Sequence, residues 1–181
     1  MEILWGCAAF GLFFLGDLND WKWAWAPLRI CFPAGAVLLA VATVRMALNG
    51  RAQLPGALRG LFFVLAAGFL ALLVYTLFFA LNAGEAYVSQ DVRRAVCATG
   101  IYALCRHPGV LWLAGVYLCL WAAAGVPLRA GAVFSGLNLL LVCFEDFKVF
   151  PARLAGYGAY RENTPFLIPT GRSIRACRAT F

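Results

Sequence analysis

Long apolar runs separated by short polar segments dominate the sequence. Two of them, from about Pro27 to Leu48 and from Gly60 to Leu81, are long enough for a membrane span, since about 20 helical residues cross the ~30 Å hydrocarbon layer. The first run has only Arg29 and Arg45 as charges, both near its ends, and the second has none. Long arginine side chains near a helix end can reach the headgroup region. We predict a transmembrane helix from each run.

The N-terminal apolar run, from Ile3 to Gly16, is shorter than a full span. It is compatible with an uncleaved first helix, an interfacial helix or a signal peptide. A signal peptide is disfavoured, because the only charge before the run is Glu2 and no small-residue cleavage site follows it. We predict a transmembrane helix here as well.

Two further apolar segments, Val110 to Gly125 and Arg129 to about Val149, are separated only by residues 126–128. A link this short makes the two segments fold back as an antiparallel helical hairpin. The hairpin predicts that Arg106-His107 and Glu145-Asp146 lie at the same end of the helices. Residues about forty positions apart in sequence thereby become neighbours.

The pattern predicts an all-α, polytopic membrane protein with about five transmembrane helices. Composition agrees, because 64% of the residues are hydrophobic and only 13% are charged. No internal repeat or Ser/Gly linker divides the chain, so we predict a single membrane domain over residues 1–181. Residues 1–84 would supply N-terminal transmembrane helices, and residues 85–181 a binding region with the helical hairpin and a C-terminal tail.

The net charge of +7 is interpreted as a topology signal and as affinity for anionic membrane lipids. Nucleic acid is disfavoured as a partner, because the sequence has no basic stripe with interleaved aromatic residues. In the five-helix arrangement most cations fall on the side that holds the C-terminus, which the positive-inside rule makes cytoplasmic. These are Lys22, Arg93, Arg94, Arg106, Lys148, Arg153, Arg161, Arg172, Arg175 and Arg178, against Arg45, Arg51, Arg59 and Arg129 on the other side.

The seven cysteines contain no C-x-x-C pair and are odd in number, and several lie inside apolar runs. Cysteine in an apolar run acts as a small hydrophobic residue. Neither a disulfide framework nor a zinc site is predicted.

The candidate chemistry lies in a polar cluster at the mouth of the hairpin. Arg106 offers a planar, permanently charged fork, and His107, the one histidine of the chain, donates or accepts hydrogen bonds near neutral pH. Together they suit an anionic ligand group. Glu145 and Asp146 repel one another and lie at the unfavourable end of the helix dipole, so they need a cationic partner, either Arg106 or a ligand group. The alternative is a structural ion pair between Arg106 and Glu145.

A polar and aromatic tail follows the hairpin. Tyr157 and Tyr160 share a face if this segment is helical, and Pro165 and Pro169 end that helix and keep the next residues extended. Such a tail can fold back over the hairpin mouth. The alternative is an interfacial amphipathic helix with its tyrosines at the headgroups.

These residues resemble the isoprenylcysteine carboxyl methyltransferase and phospholipid methyltransferase superfamily. The resemblance covers about the C-terminal half, and the N-terminal helices are similar only in being apolar. It is carried by Gly100-x-Tyr102-x-x-x-Arg106-His107-Pro108, Glu145-Asp146, Tyr157-x-x-Tyr160 and Pro165-x-x-x-Pro169.

The resemblance implies a small multi-helix membrane enzyme that binds S-adenosylmethionine at the cytoplasmic end of its last helices. Arg106, His107 and Glu145 would hold the zwitterionic methionine part. Arg161 and Glu162 would be catalytic residues that orient the acceptor nucleophile. The cofactor-binding set implied by the motif also includes Gly100, Tyr102, Pro108, Asp146, Tyr157 and Tyr160, the three tyrosines shaping the pocket.

The chain departs from the family pattern near the motif. Ile101 replaces a proline, Val110 a tyrosine and Trp112 a glycine, while Arg153-Leu154 replaces the Phe-Gly that precedes the paired tyrosines. The resemblance is therefore applied to the cofactor site and not to a particular acceptor.

Methyl transfer to a lipophilic acceptor that enters from the bilayer is the leading functional prediction. An isoprenylcysteine carboxylate, a lipid amine and a hydrophobic thiol all remain as acceptors. A reductase of the sterol-reductase type, using NADPH, is the second alternative, although those enzymes usually have an asparagine where Pro108 stands. A non-enzymatic membrane scaffold with a purely structural polar cluster is the third.

Overall fold

The protein is helical throughout nearly all of the chain that the computed structural model describes, namely residues 1–52, 54–80 and 94–180. The all-α prediction is confirmed, with one two-residue parallel strand pairing as its exception. The α-helices are α1 (Glu2–Leu18), α2 (Cys31–Asn49), α3 (Gly56–Val74), α4 (Ile101–Leu104), α5 (Pro108–Ala124), α6 (Leu128–Phe144), α7 (Phe150–Arg153), α8 (Tyr157–Asn163) and α9 (Gly171–Ala179). The strands are β1 (Arg94–Ala95) and β2 (Leu154–Ala155).

Among the described residues, four helical segments are long and apolar enough to cross a membrane. They are Glu2–Trp23, Ala26–Asn49, Gly56–Phe79 and Leu128–Arg153, each of which continues an α-helix through a 3-10 or π turn. The apolar helix α5 has 17 residues, which is shorter than the length that a full span needs. Four spans are therefore supported by length and composition, and the five-span count stays a prediction.

The first helix is longer than its apolar run. It continues beyond α1 as a π turn over Asn19–Trp23, which brings the segment to 22 residues. The Asn19 side chain closes the turn, because its Oδ1 accepts from the backbone N–H of Trp25 (2.9 Å) and its Nδ2 donates to the Trp25 carbonyl (3.1 Å). The apolar run from Ile3 to Gly16 is by itself shorter than a span, but with this turn the segment is long and apolar enough to cross a membrane, which supports the predicted transmembrane helix by length and composition. The predicted end of the α3 span at Leu81 lies outside the described residues.

The helices pack through small residues that allow close approach. α1 packs on α2 and α6, while α5 packs on α3 and α6. At the α1–α6 contact the ring of Phe134, which is fully buried, lies directly against Gly6, where a Cβ atom would overlap it. At the α3–α5 contact the ring of Phe69 lies against Gly115 in the same way. Close packing at small residues is the ordinary basis of helix association in membranes.

The α5–α6 hairpin is closed by a glycine turn. Gly125 has a φ of 70°, in the left-handed region, and its N–H donates to the Trp121 carbonyl (3.1 Å), which ends α5. The backbone after α2 packs closely on this turn, since a Cβ on Gly50 would overlap the Ala124 carbonyl oxygen. The turn makes α5 and α6 antiparallel, as predicted.

The opposite end of the bundle, called the site end below, carries α4, α7, α8, α9 and the paired strands. β1 pairs with β2 in parallel, with Arg94 opposite Leu154 and Ala95 opposite Ala155. α8 is the helix that the tyrosine spacing predicts. α4 and α9 are not predicted from the sequence, and α9 packs on α4. The two helices join the tail to the segment that precedes α5.

Candidate functional site

Asp146 is the centre of the polar cluster at the site end. Its side chain is only 1% exposed, and four side chains from three parts of the chain converge on it. Oδ1 accepts from the Tyr157 hydroxyl (2.5 Å), lies 3.2 Å from His107 Nε2 and lies 3.4 Å from Arg106 Nε. Oδ2 lies 3.5 Å from Arg161 Nε. The cluster is therefore a buried ion-pair network built on one carboxylate.

Local sequence explains why these groups meet. Pro108 occupies the first position of α5, where its missing N–H costs nothing, and His107 is the residue that caps this helix. Asp146 lies in the π turn Glu145–Val149 that ends α6. Since α5 and α6 are antiparallel, the start of one meets the end of the other. The prediction that Arg106-His107 and Glu145-Asp146 lie at the same end is confirmed.

The two adjacent acids point to different neighbours. Asp146 faces Arg106 and His107, whereas Glu145 interacts with Asp17 at the end of α1. Consecutive helical residues are about 100° apart around the axis, so a neighbouring pair cannot share one face. Asp146, and not Glu145, is thus the carboxylate that pairs with Arg106.

Asp17 is a site residue that sequence reasoning missed. Its Oδ2 is inaccessible to solvent and has no hydrogen-bond partner within residues 1–52, 54–80 and 94–180. The signal in the sequence is an acid directly after the apolar run that ends at Gly16. Only the packing of α1 against the end of α6 places it beside Glu145.

The tail covers the mouth of the hairpin. The N–H of Arg106 donates to the Pro165 carbonyl (2.9 Å), and the N–H of His107 donates to the Phe166 carbonyl (3.2 Å). The Phe166 ring lies 4.9 Å from the His107 ring and 5.4 Å from Arg106 Cζ. Arg106 Nη1 also donates to the Arg161 carbonyl (3.4 Å). The segment after α8 therefore shields the basic side of the cluster from water.

The cluster has an excess of positive charge. Burial lowers the pKa of His107, because desolvation disfavours the imidazolium more than the nearby Asp146 carboxylate stabilises it. A neutral His107 leaves two guanidinium groups, on Arg106 and Arg161, against the one carboxylate. The Arg106 side chain is only 8% exposed, and its buried Nε has no hydrogen-bond partner among the described residues. A buried cation with an unsatisfied donor fits an anionic group, such as the carboxylate of an amino acid.

The three predicted tyrosines act as hydrogen-bond donors in this arrangement. Tyr102 donates to the Thr76 carbonyl (2.9 Å), and Tyr160 donates to the Tyr102 carbonyl (2.8 Å). Burial raises the pKa of the hydroxyl groups of Tyr102, Tyr157 and Tyr160. They stay protonated at neutral pH and link α4 and α8 to each other and to the π turn that follows α3.

A cleft of ≈480 Å³ is lined by Tyr160, whose ring lies 5.8 Å from the Tyr157 ring of the cluster. Nearly half of its lining residues are alanine or glycine, and several others can form hydrogen bonds. The lining residues are Val96, Ala98, Ala103, Gly156, Ala159, Tyr160, Asn163, Thr164, Arg172, Ser173 and Ala176. Small residues next to polar ones would admit a flat polar group.

The remaining predicted site residues have distinct positions. Gly100 precedes α4 with a φ of 56°, and its N–H donates to Thr180 Oγ1 (2.9 Å) at the end of the tail. Pro108 is fully buried. Arg161 is 39% exposed and lies over the Phe147 ring, 4.5 Å from its centre. Glu162 is exposed, and within residues 94–180 no ion pair joins it to the cluster.

The departures from the family pattern occupy structural positions. Ile101 and Val110 are buried. Trp112 fills the α3–α5 contact, where its ring stacks on Phe69 and its Nε1 donates to Thr76 Oγ1 (3.2 Å). Leu154 belongs to β2, and Arg153 before it is exposed. Trp112 therefore occupies volume between two helices that a glycine would leave open.

Comparison with protein-family models, with curated proteins and with solved structures gives no match for this chain. The resemblance to the methyltransferase superfamily therefore stays a prediction.

Proposed function

We propose that this chain transfers a methyl group from S-adenosylmethionine to a lipophilic acceptor at the boundary between membrane and cytoplasm. The observation that carries the proposal is the buried Arg106 guanidinium at the hairpin mouth. Its charge is only partly balanced by Asp146, and no group in the part of the chain that the structure describes forms a hydrogen bond with its Nε. A site of this kind supports capture of an anionic group on a small molecule.

The chemistry of the donor set fits the methionine half of the proposed cofactor. Arg106 would hold its carboxylate, with His107 as a second donor. Glu145 and Asp17 would face its ammonium group from the other side of Asp146. The donor set thus offers a cation for the carboxylate of a zwitterion and carboxyl groups for its ammonium, which neither a purely basic nor a purely acidic cluster would offer.

The cleft supports the same assignment for the nucleoside half. Tyr160, which lines the cleft, lies 5.8 Å from the Tyr157 ring of the cluster, and the lining also includes Asn163, Thr164 and Arg172. These side chains can hydrogen-bond a ribose or a base. Pro108 and Gly100 would act indirectly, Pro108 by starting α5 and Gly100 by allowing the chain to turn into α4.

Bound S-adenosylmethionine would supply an activated methyl group on its sulfonium, so the protein has to position the reactants and exclude water. Asp146 holds Arg106, His107 and Tyr157 in fixed orientations. The segment at Pro165 and Phe166 keeps solvent from the basic side chains. The acceptor would enter from the bilayer, with Arg161 and Glu162 proposed to orient its nucleophile. The C-terminal side is proposed to be cytoplasmic, on the positive-inside argument.

Calorimetric binding of S-adenosylmethionine and S-adenosylhomocysteine to detergent-purified protein tests the proposal. We expect saturable binding that is lost in Arg106→Gln and retained in the matched control Arg129→Gln, which removes an exposed arginine at the other end of the bundle. Thermal unfolding of both variants shows whether they are folded. Folded wild-type protein that binds neither ligand would refute the proposal, and binding of NADPH instead would favour the reductase.

A membrane scaffold is the second candidate, and one observation favours it. Asp146 is already contacted by four side chains of the chain itself, as in a structural ion-pair network. A scaffold requires that folded wild-type protein bind none of the three ligands, which the same calorimetry tests.

A further inference from the structure

The C-terminal helix α9 has a basic face opposite its packed face. Ser173 is buried and Cys177 is half-buried against the protein, where α9 packs on α4. Arg172, Arg175 and Arg178 are all exposed. At about 100° per residue the three arginines fall within one arc of the helix, and that arc faces away from Ser173 and Cys177.

The helix is held at the site end of the membrane-spanning bundle. It packs on α4, which ends at Leu104, and only residues 105–107 separate α4 from the start of α5. The end of α9 is fixed to the start of α4, because Thr180 Oγ1 accepts from the Gly100 N–H (2.9 Å). Its start is fixed by reciprocal hydrogen bonds between Thr170 and Ser173. The basic face therefore has a defined position near the ends of the spans.

Exposed apolar side chains accompany the arginines. Ile174 on α9 is 39% exposed, and Ile168, just before the helix, is 77% exposed. Basic residues together with exposed apolar ones are the pattern of segments that lie in a membrane interface. Exposed cations also outnumber exposed acids across the described part of the site end, where Lys22, Lys148, Arg153 and Arg161 add to those of α9, against Asp20 and Glu162.

We propose that the basic face of α9 binds the anionic phospholipid headgroups of the leaflet at the site end. Arg175 and Arg178 contact the headgroup phosphates, and Ile168 and Ile174 enter the interface. The lipid fixes the helix that lines one side of the cleft. This inference rests on the membrane-spanning bundle and does not depend on methyl transfer.

Hydrogen exchange of the α9 amides tests the inference with the full chain in nanodiscs. The probe is a bilayer of phosphatidylcholine alone against one with equal amounts of phosphatidylcholine and phosphatidylglycerol. Two arginines at an anionic surface can together slow exchange by roughly tenfold or more. We expect this protection in the anionic nanodiscs, its loss at high salt, and no effect of added soluble glycerol phosphate.

Two variants separate lipid binding from a general effect of charge. Arg175→Gln with Arg178→Gln should abolish the protection, while Arg51→Gln with Arg129→Gln, which removes the same charge at the other end, should retain it. Arg172 is left unchanged because it lines the cleft. Equal exchange of wild-type α9 in both nanodiscs would overturn the inference, as would protection that persists in the α9 variant. Either result leaves binding of the methyl donor untouched, so the two proposals fail separately.

Discussion

Replacing Asp146 by asparagine removes the charge at the centre of the cluster while keeping the shape of the side chain. The buried carboxylate is paired with Arg106, whose side chain is only 8% exposed, so the variant leaves a buried guanidinium without its counter-ion. Breaking a buried ion pair on one side costs about 3–5 kcal/mol. We expect the free energy of unfolding to fall by about that amount. The asparagine oxygen can still accept the hydrogen bond from Tyr157, so the loss comes from the missing negative charge beside Arg106.

The comparison variant is Arg161→Gln, which removes the other cation that faces Asp146. Arg161 is 39% exposed, and ion pairs that are this accessible contribute only about 0–1 kcal/mol. Its effect should therefore be several times smaller. Asp146→Asn leaves the buried Arg106 guanidinium without its counter-ion, whereas in Arg161→Gln the buried Asp146 carboxylate keeps Arg106 as its partner, so only the first variant leaves a buried charge unpaired.

Reversible unfolding in mixed detergent micelles measures both variants, with helix content from circular dichroism as the signal. The double variant Asp146→Asn with Arg106→Gln should recover part of the loss, since it removes the unpaired cation as well. A loss below about 1 kcal/mol in Asp146→Asn, or a double variant that is the sum of the two single ones, would refute the account of a buried, coupled pair.

Three further predictions concern packing, pH and backbone conformation. Gly6→Ala should destabilise the protein by about 1–3 kcal/mol in the same unfolding assay, because the new Cβ overlaps the Phe134 ring. Gly11→Ala in the same helix is the control, since its Cβ meets open space and should change the stability little. Equal effects of the two substitutions would contradict the packing argument. The pKa of His107 is lowered in the folded state, so protonation of this side chain favours the unfolded state. The stability that His107 contributes should therefore be present above about pH 6.5 and be lost as pH falls toward its folded pKa. In His107→Gln the free energy of unfolding should no longer change over this pH range through this group. Gly100→Ala should lower the free energy of unfolding by about 1–2 kcal/mol, because a side chain is strained at φ 56°. A loss below about 0.5 kcal/mol would show that the turn relaxes to accept the side chain.

The hairpin is the part of the site that the sequence could predict. Two apolar helices joined by a link of three residues fold back on each other. The short link therefore explains why His107 and Asp146 lie close together. The helical tail could be predicted as well, since tyrosines three apart and the following prolines define α8. Both features depend only on residues close together in the sequence, so they can be predicted without the tertiary structure.

Other parts of the site could not be predicted because they depend on contacts between distant segments. The preference of Arg106 for Asp146 over Glu145 depends on the rotation of α6 about its axis. The position of Asp17 beside Glu145 depends on how α1 packs against α6. α9 is short and rich in arginine, and its docking on α4 is visible only in the structure.

The sequence by itself determined the helical class, the approximate spans and the end of the molecule where the polar groups gather, because hydrophobic length and short links constrain a chain in a membrane strongly. Tertiary structure decided which carboxylate is buried among the cations, which donor of Arg106 is unsatisfied, and which face of α9 is exposed. Helices in lipid are apolar on all sides, so periodicity carries no information about their rotation. Rotation is set by the packing of side chains such as Phe134 on Gly6, and the polar contacts of the site follow from it.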